Sequence, residues 1–343
     1  MHRISVIAAA SLFAVAAQAQ SQAQAQSQPA SPAYGQQLEG FAYPHEVHHL
    51  ALQTQGQTLS MAYMDIQADR PNGRTAVLMH GKNFCGATWE ATIDTLRAQG
   101  YRVIVPDQIG FCKSSKPANY QYSFHQLADN THALLAKLGI ERSIVVGHSM
   151  GGMLAARYAL QYPDATQALV MVNPLGLEDW KAKGVPYRSI DQWYASELKT
   201  SFDSIKKYQL NTYYAGQWKP EYDRWVSMGA GMYLGKGKAR VAWNQALTYD
   251  MIYTQPVVYE FGQIKTPTLL LIGARDNTAP GKDGASPEVA ATLGKYPELG
   301  PATARAIPGA RLVMFPELGH APQIQDPDAF HRELLKGLTA LGS

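Results

Sequence analysis

The chain has 343 residues, of which 46% are hydrophobic and 17% are charged, and its formal net charge is +3. This length and apolar content are sufficient for a large buried core, and parallel α/β enzymes often exceed the usual domain size of about 100 to 200 residues. The small net charge and the scattered lysines and arginines exclude an extended basic surface of the kind that binds nucleic acid.

The first 19 residues have the pattern of an export signal. Met1-His2-Arg3 is a short positive start, residues 4–17 are apolar but too few to span a bilayer, and Ala17-Gln18-Ala19 fits a cleavage site. Residues 20–38 are predicted to be a flexible leader, because the stretch is rich in Gln, Ala, Ser and Pro up to residue 33. We therefore expect a periplasmic or secreted protein without a stable membrane anchor.

Runs of strand length and strand-forming composition recur along the rest of the chain, with helical patterns between them. The predicted strands are 46–53, 58–67, 75–79, 102–106, 143–146, 168–172, 268–272 and 311–315. Such alternation predicts an α/β protein with a doubly wound, mostly parallel eight-stranded sheet. Its active site is expected outside the carboxyl ends of the strands.

Gly147-His148-Ser149-Met150-Gly151 lies between the strand predicted at 143–146 and a predicted helix. A serine at such a corner sits on a sharp, strained turn, and the flanking glycines relieve collisions with the neighbouring backbone. Ser149 is therefore predicted to be a nucleophile. The same corner directs the N–H of Met150 at the place where an oxyanion would form.

A nucleophilic serine needs a base, and the base needs a carboxylate that orients it. Asp276 follows the apolar run at 268–272, and His320 lies in the loop after the run at 311–315. Both are thus predicted at carboxyl ends of parallel strands, where they would complete a catalytic triad with Ser149.

The order Ser149, Asp276, His320 resembles the α/β-hydrolase superfamily, whose triad runs serine, acid, histidine along the chain. The resemblance covers nearly everything after about residue 40. It implies a core of residues 39–175 and 263–343 and a helical cap inserted over residues 176–262. That insertion carries five of the six tryptophans and has no convincing strand. A few of its aromatic residues are expected to line the pocket.

Two further stretches are similar to this superfamily. Val77-Leu78-Met79-His80-Gly81 resembles the strand and His-Gly turn that supply the second oxyanion N–H, which implies a backbone contribution from Lys82 or Asn83. The Lys82 side chain is expected to be solvated. Residues 107–114 resemble the D-x-x-G-x-G-x-S loop of epoxide hydrolase-like and haloperoxidase-like members. Cys112 replaces a glycine of that pattern, so the loop backbone is expected to differ there.

The only two cysteines, Cys85 and Cys112, are predicted to form a disulfide. An even cysteine count is the expected signature in an exported chain. The resembling fold places the strands before these cysteines side by side, with both loops at the active-site edge. The spacing of the histidines His45, His48 and His49 does not indicate a metal site, and we expect neither a metal nor a cofactor.

The serine nucleophile favours attack on a carbonyl, whereas relatives that displace at saturated carbon use a carboxylate. The leading hypothesis is an exported serine hydrolase acting on a small, apolar ester or lactone, as a monomer or small homo-oligomer. A carbon–carbon bond hydrolase or a cofactor-free perhydrolase is one alternative, because Ser149-Met150-Gly151-Gly152 resembles those branches as well. A ligand-binding protein or slowly hydrolysing sensor is the other.

Overall fold

Eight strands form one sheet in the computed structural model, which describes residues 32–342. The strands are β1 (His48–Thr54), β2 (Gln57–Ile66), β3 (Thr75–Met79), β4 (Arg102–Pro106), β5 (Ser143–His148), β6 (Thr166–Val172), β7 (Thr268–Gly273) and β8 (Arg311–Phe315). The predicted bounds of β3, β4 and β8 agree with the structure, and the other strands differ by one or two residues at their ends.

The strand order is β1-β2-β4-β3-β5-β6-β7-β8. The first three neighbours, β1, β2 and β4, pair antiparallel, and every pairing from β4 to β8 is parallel. The predicted α/β fold with a mostly parallel eight-stranded sheet is confirmed. Parallel pairing gathers the loops that follow β3, β4, β5, β6, β7 and β8 at one edge of the sheet.

Helices cover both faces of the sheet and form the segment between β6 and β7. In chain order the helices are α1 (Glu90–Ala98), α2 (Phe124–Lys137), α3 (Met150–Gln161), α4 (Ile190–Glu197), α5 (Phe202–Thr212), α6 (Asp223–Leu234), α7 (Lys238–Thr254), α8 (Pro287–Ala290), α9 (Tyr296–Ala306), α10 (Pro322–Gln325) and α11 (Pro327–Ala340). Side chains alternate between the faces along each strand. In β3, Ala76 and Leu78 pack in the apolar cluster with α1 and α11, whereas Val77 and Met79 pack in the cluster with α2 and α3.

The segment between β6 and β7 contains the helices α4 to α7 and, within the described residues, no strand. Ser189 and Ser201 cap α4 and α5, each through a reciprocal capping box with the third helical residue. Helix α4 packs on α7, and α5 packs on α6. Residues 176–262, predicted as a helical cap, are thus a helical insertion between two adjacent parallel strands.

The end of the predicted leader is ordered, which corrects its boundary at residue 38. Leu38 is completely buried, and the ring of Tyr34 lies 5.5 Å from that of Phe41. The Tyr34 N–H donates to the Gly231 carbonyl of α6 at 2.9 Å. The apolar contacts follow the polar stretch, and the hydrogen bond to Gly231 joins Tyr34 to the insertion. The predicted signal, residues 1–19, and the leader up to residue 31 lie outside the described residues.

Within residues 32–342, none of the helices has the length and apolar character needed to cross a membrane. The same part of the chain contains no group of three or more His, Cys, Asp or Glu side chains arranged to hold a metal ion.

Candidate active site

Ser149 stands between the end of β5 and the start of α3, in a backbone conformation that L-residues rarely adopt, with φ 58° and ψ −122°. Its N–H donates to the Val172 carbonyl at 3.1 Å, which ties the corner to β6. A Cβ on Gly147 would lie 2.0 Å from the Gly151 carbonyl oxygen, and a Cβ on Gly151 would lie 2.2 Å from that of Met79. Only glycine fits these positions, so the sequence permits the sharp turn that exposes Ser149.

Asp276 and His320 are brought together from the loops after β7 and β8. Asp276 Oδ2 lies 2.6 Å from His320 Nδ1, and both side chains are completely buried. Oδ1 of the carboxylate accepts from the N–H of Thr278 at 2.8 Å and from its hydroxyl at 2.6 Å. An acceptor carboxylate on Nδ1 holds the ring proton there, which leaves Nε2 with a free lone pair.

Asn173 is a member of this arrangement that sequence reasoning missed. It follows β6 directly, and its amide donates to Asp276 Oδ2 at 2.9 Å. Its Oδ1 accepts from the Gly273 N–H at 2.8 Å, so one side chain joins the ends of two strands to the carboxylate. Its position directly after a predicted strand could have indicated a role in the site, because residues at the carboxyl ends of parallel strands lie at the active-site edge of the sheet.

His148 connects the Ser149 corner to the histidine loop. Its Nε2 lies 2.8 Å from the His320 carbonyl oxygen, and the two rings are 4.9 Å apart. Burial and the neighbouring His320 lower the pKa of His148 well below its usual value. The neutral ring therefore donates through Nε2 to that carbonyl. In contrast, Nε2 of His320 is buried and has no hydrogen-bond partner among the described residues.

The turn after β3 lies against Ser149, as expected for an oxyanion loop. A Cβ on Gly81 would lie 2.9 Å from Ser149 Cβ, so glycine permits this close approach. His80 Nε2 accepts from the Gln108 N–H at 3.0 Å, and its Nδ1 lies 2.9 Å from the Gly81 carbonyl oxygen. Burial lowers the pKa of His80. The neutral ring stabilises the turn, because Nε2 accepts from Gln108 and Nδ1 donates to the Gly81 carbonyl.

Met150 is the first residue of α3, so its N–H has no partner within the helix. Lys82 and Asn83 line the same cavity as Ser149. The structure therefore places all three predicted oxyanion residues beside the nucleophile corner. Asn83 is also fixed by the insertion, because its amide donates to the Tyr213 hydroxyl at 2.9 Å.

The expectation of a solvated Lys82 is wrong. Its side chain is only 5% exposed, because helices α4 and α7 lie over the turn. The ammonium group lies 3.0 Å from Gln245 Oε1, 3.4 Å from Glu197 Oε1 and 3.6 Å from the centre of the Tyr249 ring. Burial lowers the pKa of Lys82, and the Glu197 carboxylate acts in the opposite direction.

A cavity of about 480 Å³ opens at Ser149. The aromatic residues that line it all come from the helical insertion: Trp193, Tyr208, Tyr213 and Tyr249. Lys82, Asn83 and residues 277–283 complete much of the remaining wall. The wall is thus aromatic on the side of the insertion and also carries charged residues, among them Arg188, Lys282 and Asp283.

The predicted disulfide between Cys85 and Cys112 is confirmed, with 5.8 Å between the Cα atoms. It joins the oxyanion turn to the loop after β4. Cys112 has φ 46°, the left-handed conformation that glycine favours, so the loop keeps a glycine-type backbone where a departure was expected. Asp107 also holds both loops, accepting from the N–H groups of Gly86 at 2.8 Å and Lys113 at 3.0 Å.

Comparison with known proteins identifies relatives of this arrangement. A family model described as alpha/beta hydrolase fold matches residues 76–327. A solved structure of a probable hydrolytic enzyme from Pseudomonas aeruginosa PAO1 is 64% identical, covers 90% of this chain and 99% of its own, and superposes with a TM-score of 0.89.

Two curated relatives are each 27% identical to this chain. Lipase 1 from Psychrobacter immobilis matches 79% of this chain and 80% of its own length. A 2-hydroxy-6-oxononadienedioate/2-hydroxy-6-oxononatrienedioate hydrolase from Comamonas testosteroni matches 77% and 87%. These relatives are hydrolases with different substrates, so similarity alone leaves the substrate open.

Proposed function

Because the chain belongs to the alpha/beta hydrolase fold family, we propose that it is an exported serine hydrolase that cleaves an ester or lactone through an acyl-enzyme on Ser149. The observation that carries this proposal is the buried Asp276–His320 pair, whose Nε2 lacks a partner among the described residues beside the strained Ser149 corner. An oriented base with a free lone pair is what a serine nucleophile requires.

In the proposed mechanism, His320 Nε2 removes the Ser149 hydroxyl proton as Oγ attacks the substrate carbonyl carbon. The N–H of Met150 and that of Lys82 or Asn83 hold the resulting oxyanion. The intermediate then collapses, and His320 returns the proton to the leaving alcohol. Water, deprotonated by His320, attacks the acyl-enzyme, and the acid leaves as Ser149 regains its proton. Asp276 holds the ring orientation and stabilises the imidazolium.

Export to the periplasm or the medium is part of this proposal. It is supported by the signal pattern of residues 1–19 and by the Cys85–Cys112 disulfide, because disulfides persist in oxidising compartments.

The test is a panel of aryl esters that vary in acyl length and alcohol bulk, assayed with the mature chain and with Ser149→Ala. Turnover should fall by about 10³-fold or more in the variant, because the triad acts as a unit. Ser227→Ala, on α6 and outside the Ser149 cavity, is the matched control and should keep wild-type turnover. Comparable activity in Ser149→Ala would refute the mechanism.

Adding a vinylogous diketone and a ligand-binding measurement to the ester panel separates these alternatives. Turnover of a vinylogous diketone with little ester hydrolysis would indicate a carbon–carbon bond hydrolase instead. Tight ligand binding with negligible turnover of every ester would indicate a sensor.

A further inference from the structure

A second cavity of about 360 Å³ adjoins the one at Ser149. The nucleophile does not line it, but the two cavities share the wall residues Lys82, Asn83, Ser196, Tyr208 and Tyr249. The two cavities are therefore neighbours, which is the arrangement needed for a molecule that reacts at Ser149 to extend into the second compartment. The site is larger than a small acyl group requires.

The second compartment is mostly apolar, and several of its polar groups are already paired. Its apolar wall contains Phe84, Phe111, Ile205, Met228, Met232, Val241 and both cysteines of the disulfide. Lys82 contacts Gln245 and Glu197, and the Tyr233 hydroxyl donates to the other oxygen of Glu197. The ammonium and the carboxylate neutralise each other, so neither is free to bind an ion.

Gln209 is the exception. The residue is 0% exposed, and neither Nε2 nor Oε1 of its side chain has a hydrogen-bond partner among the described residues. It lines the second compartment from α5, four residues after Ile205 and therefore on the same helix face. An amide buried with both ends unpaired lowers stability unless something in the cavity pairs with it.

We propose that the second compartment binds one arm of the ester substrate, an apolar chain that carries a secondary amide, and that Gln209 recognises that amide. A neutral side chain with one donor and one acceptor end complements a group with an N–H and a carbonyl. The charge balance at Lys82 and Glu197 favours this neutral group over a carboxylate. This proposal extends the proposed function and rests on it, because the bound molecule is a substrate only if the protein is an ester hydrolase.

The test compares two p-nitrophenyl esters of equal chain length, one of N-acetylaminohexanoic acid and one of nonanoic acid. A second pair carries the same two arms on the alcohol side. In the wild type, kcat/KM for the amide ester of one pair should exceed that of its alkyl match by about 10-fold, the gain expected from one or two hydrogen bonds. Gln209→Met should remove that preference, chiefly through KM.

Gln217→Met is the matched control, because Gln217 is an exposed glutamine of the same insertion and lines neither cavity. It should retain the wild-type preference. Thermal unfolding should show Gln209→Met to be at least as stable as the wild type, because the change removes a buried amide without partners. Equal kcat/KM within both pairs, or a preference that survives Gln209→Met, would overturn the inference.

Binding to Ser149→Ala protein gives a readout that does not depend on catalysis. This protein should bind the amide ester about 10-fold more tightly than the alkyl ester in isothermal titration, and the added change Gln209→Met should abolish the difference. If the wild type hydrolyses no ester, the proposed function fails while this titration still decides the role of Gln209. Equal affinities would overturn the inference even in an active hydrolase.

Discussion

At the scale of single residues, the site depends on side chains that hold the reacting groups. Asn173 tolerates φ 37°, a conformation in which asparagine is enriched, and from there it reaches both Asp276 and Gly273. Thr278 supplies two more donors to the same carboxylate. The orientation of His320 thus depends on a network of neutral donors and not on the carboxylate alone.

We expect Asn173→Ala to lower kcat by about 10- to 100-fold, because Asp276 loses a donor that fixes its position and small misplacements at a reacting centre are costly. Stability should also fall by about 1 to 3 kcal/mol, since the Gly273 N–H loses its buried partner. Steady-state kinetics and urea unfolding measure the two effects.

Asn130→Ala is the matched control for this prediction. Asn130 is buried on α2, where its amide donates to the Tyr120 hydroxyl at 3.0 Å, and it lines neither cavity. The control should lose stability and keep kcat. If both variants keep wild-type kcat, Asn173 has only a structural role.

At the scale of elements, the insertion and the oxyanion turn are joined by buried contacts. Lys82 reaches α4 through Glu197 and α7 through Gln245, and Asn83 binds Tyr213. The disulfide fixes the same turn from the side of the sheet. The turn is therefore held from both sides, and a shift of the insertion would move the backbone N–H groups beside Ser149.

We expect Lys82→Met or Glu197→Gln alone to cost about 3 kcal/mol of stability, because each leaves its partner's buried charge unpaired. The double variant should recover much of that loss, since no unpaired charge remains. Urea unfolding of the wild type, both single variants and the double variant measures the coupling.

The exposed pair Arg97–Asp69 serves as the matched comparison. Its side chains are 40% and 85% exposed, and its coupling should stay below about 1 kcal/mol. Additive losses at Lys82 and Glu197 would show that this pair does not act as a buried ion pair.

At the scale of the whole molecule, the last helix, α11, is joined to α1 by the buried histidine His331. The Thr95 hydroxyl donates to the Ala91 carbonyl and so accepts from His331 Nδ1, while His331 Nε2 accepts from the Thr92 hydroxyl at 3.0 Å. Both ring nitrogens are thus satisfied in the neutral form. Burial lowers the pKa of His331 from 6.5 to about 4.

This lowered pKa makes stability depend on pH. Below about pH 6.5, His331 is protonated in the unfolded chain but stays neutral in the folded chain. The free energy of unfolding should therefore fall as pH falls towards 4. The histidine contributes up to about 1.4 kcal/mol per pH unit in that window. Urea unfolding at several pH values should show a shallower decline for His331→Gln. Parallel curves for the two proteins would contradict the prediction.

The sequence by itself determined the elements and the chemistry that depend on local pattern. Apolar runs of strand length located the parallel strands β3 to β8, because strands inside a parallel sheet are mostly apolar throughout. The antiparallel strands β1 and β2 were located by strand-forming composition instead. Glycines beside Ser149 indicated a corner that no other residue fits. Chain order after those strands was enough to nominate Asp276 and His320. The disulfide was predicted from the even cysteine count together with the strand order that the family resemblance implies.

Only the tertiary structure decided which side chains meet across long stretches of chain. Lys82 looked solvated because nothing near it in sequence covers it, whereas its partners lie 115 and 163 residues further along. Asn173 and Asp276 are 103 residues apart, and Leu38 is buried by contacts that no leader composition reveals. For the same reason, the sequence pattern could not predict that the Gln209 amide lacks hydrogen-bond partners among the described residues. Hydrogen-bond satisfaction depends on every group that folding brings near an atom, and periodicity records only the face on which the residue stands.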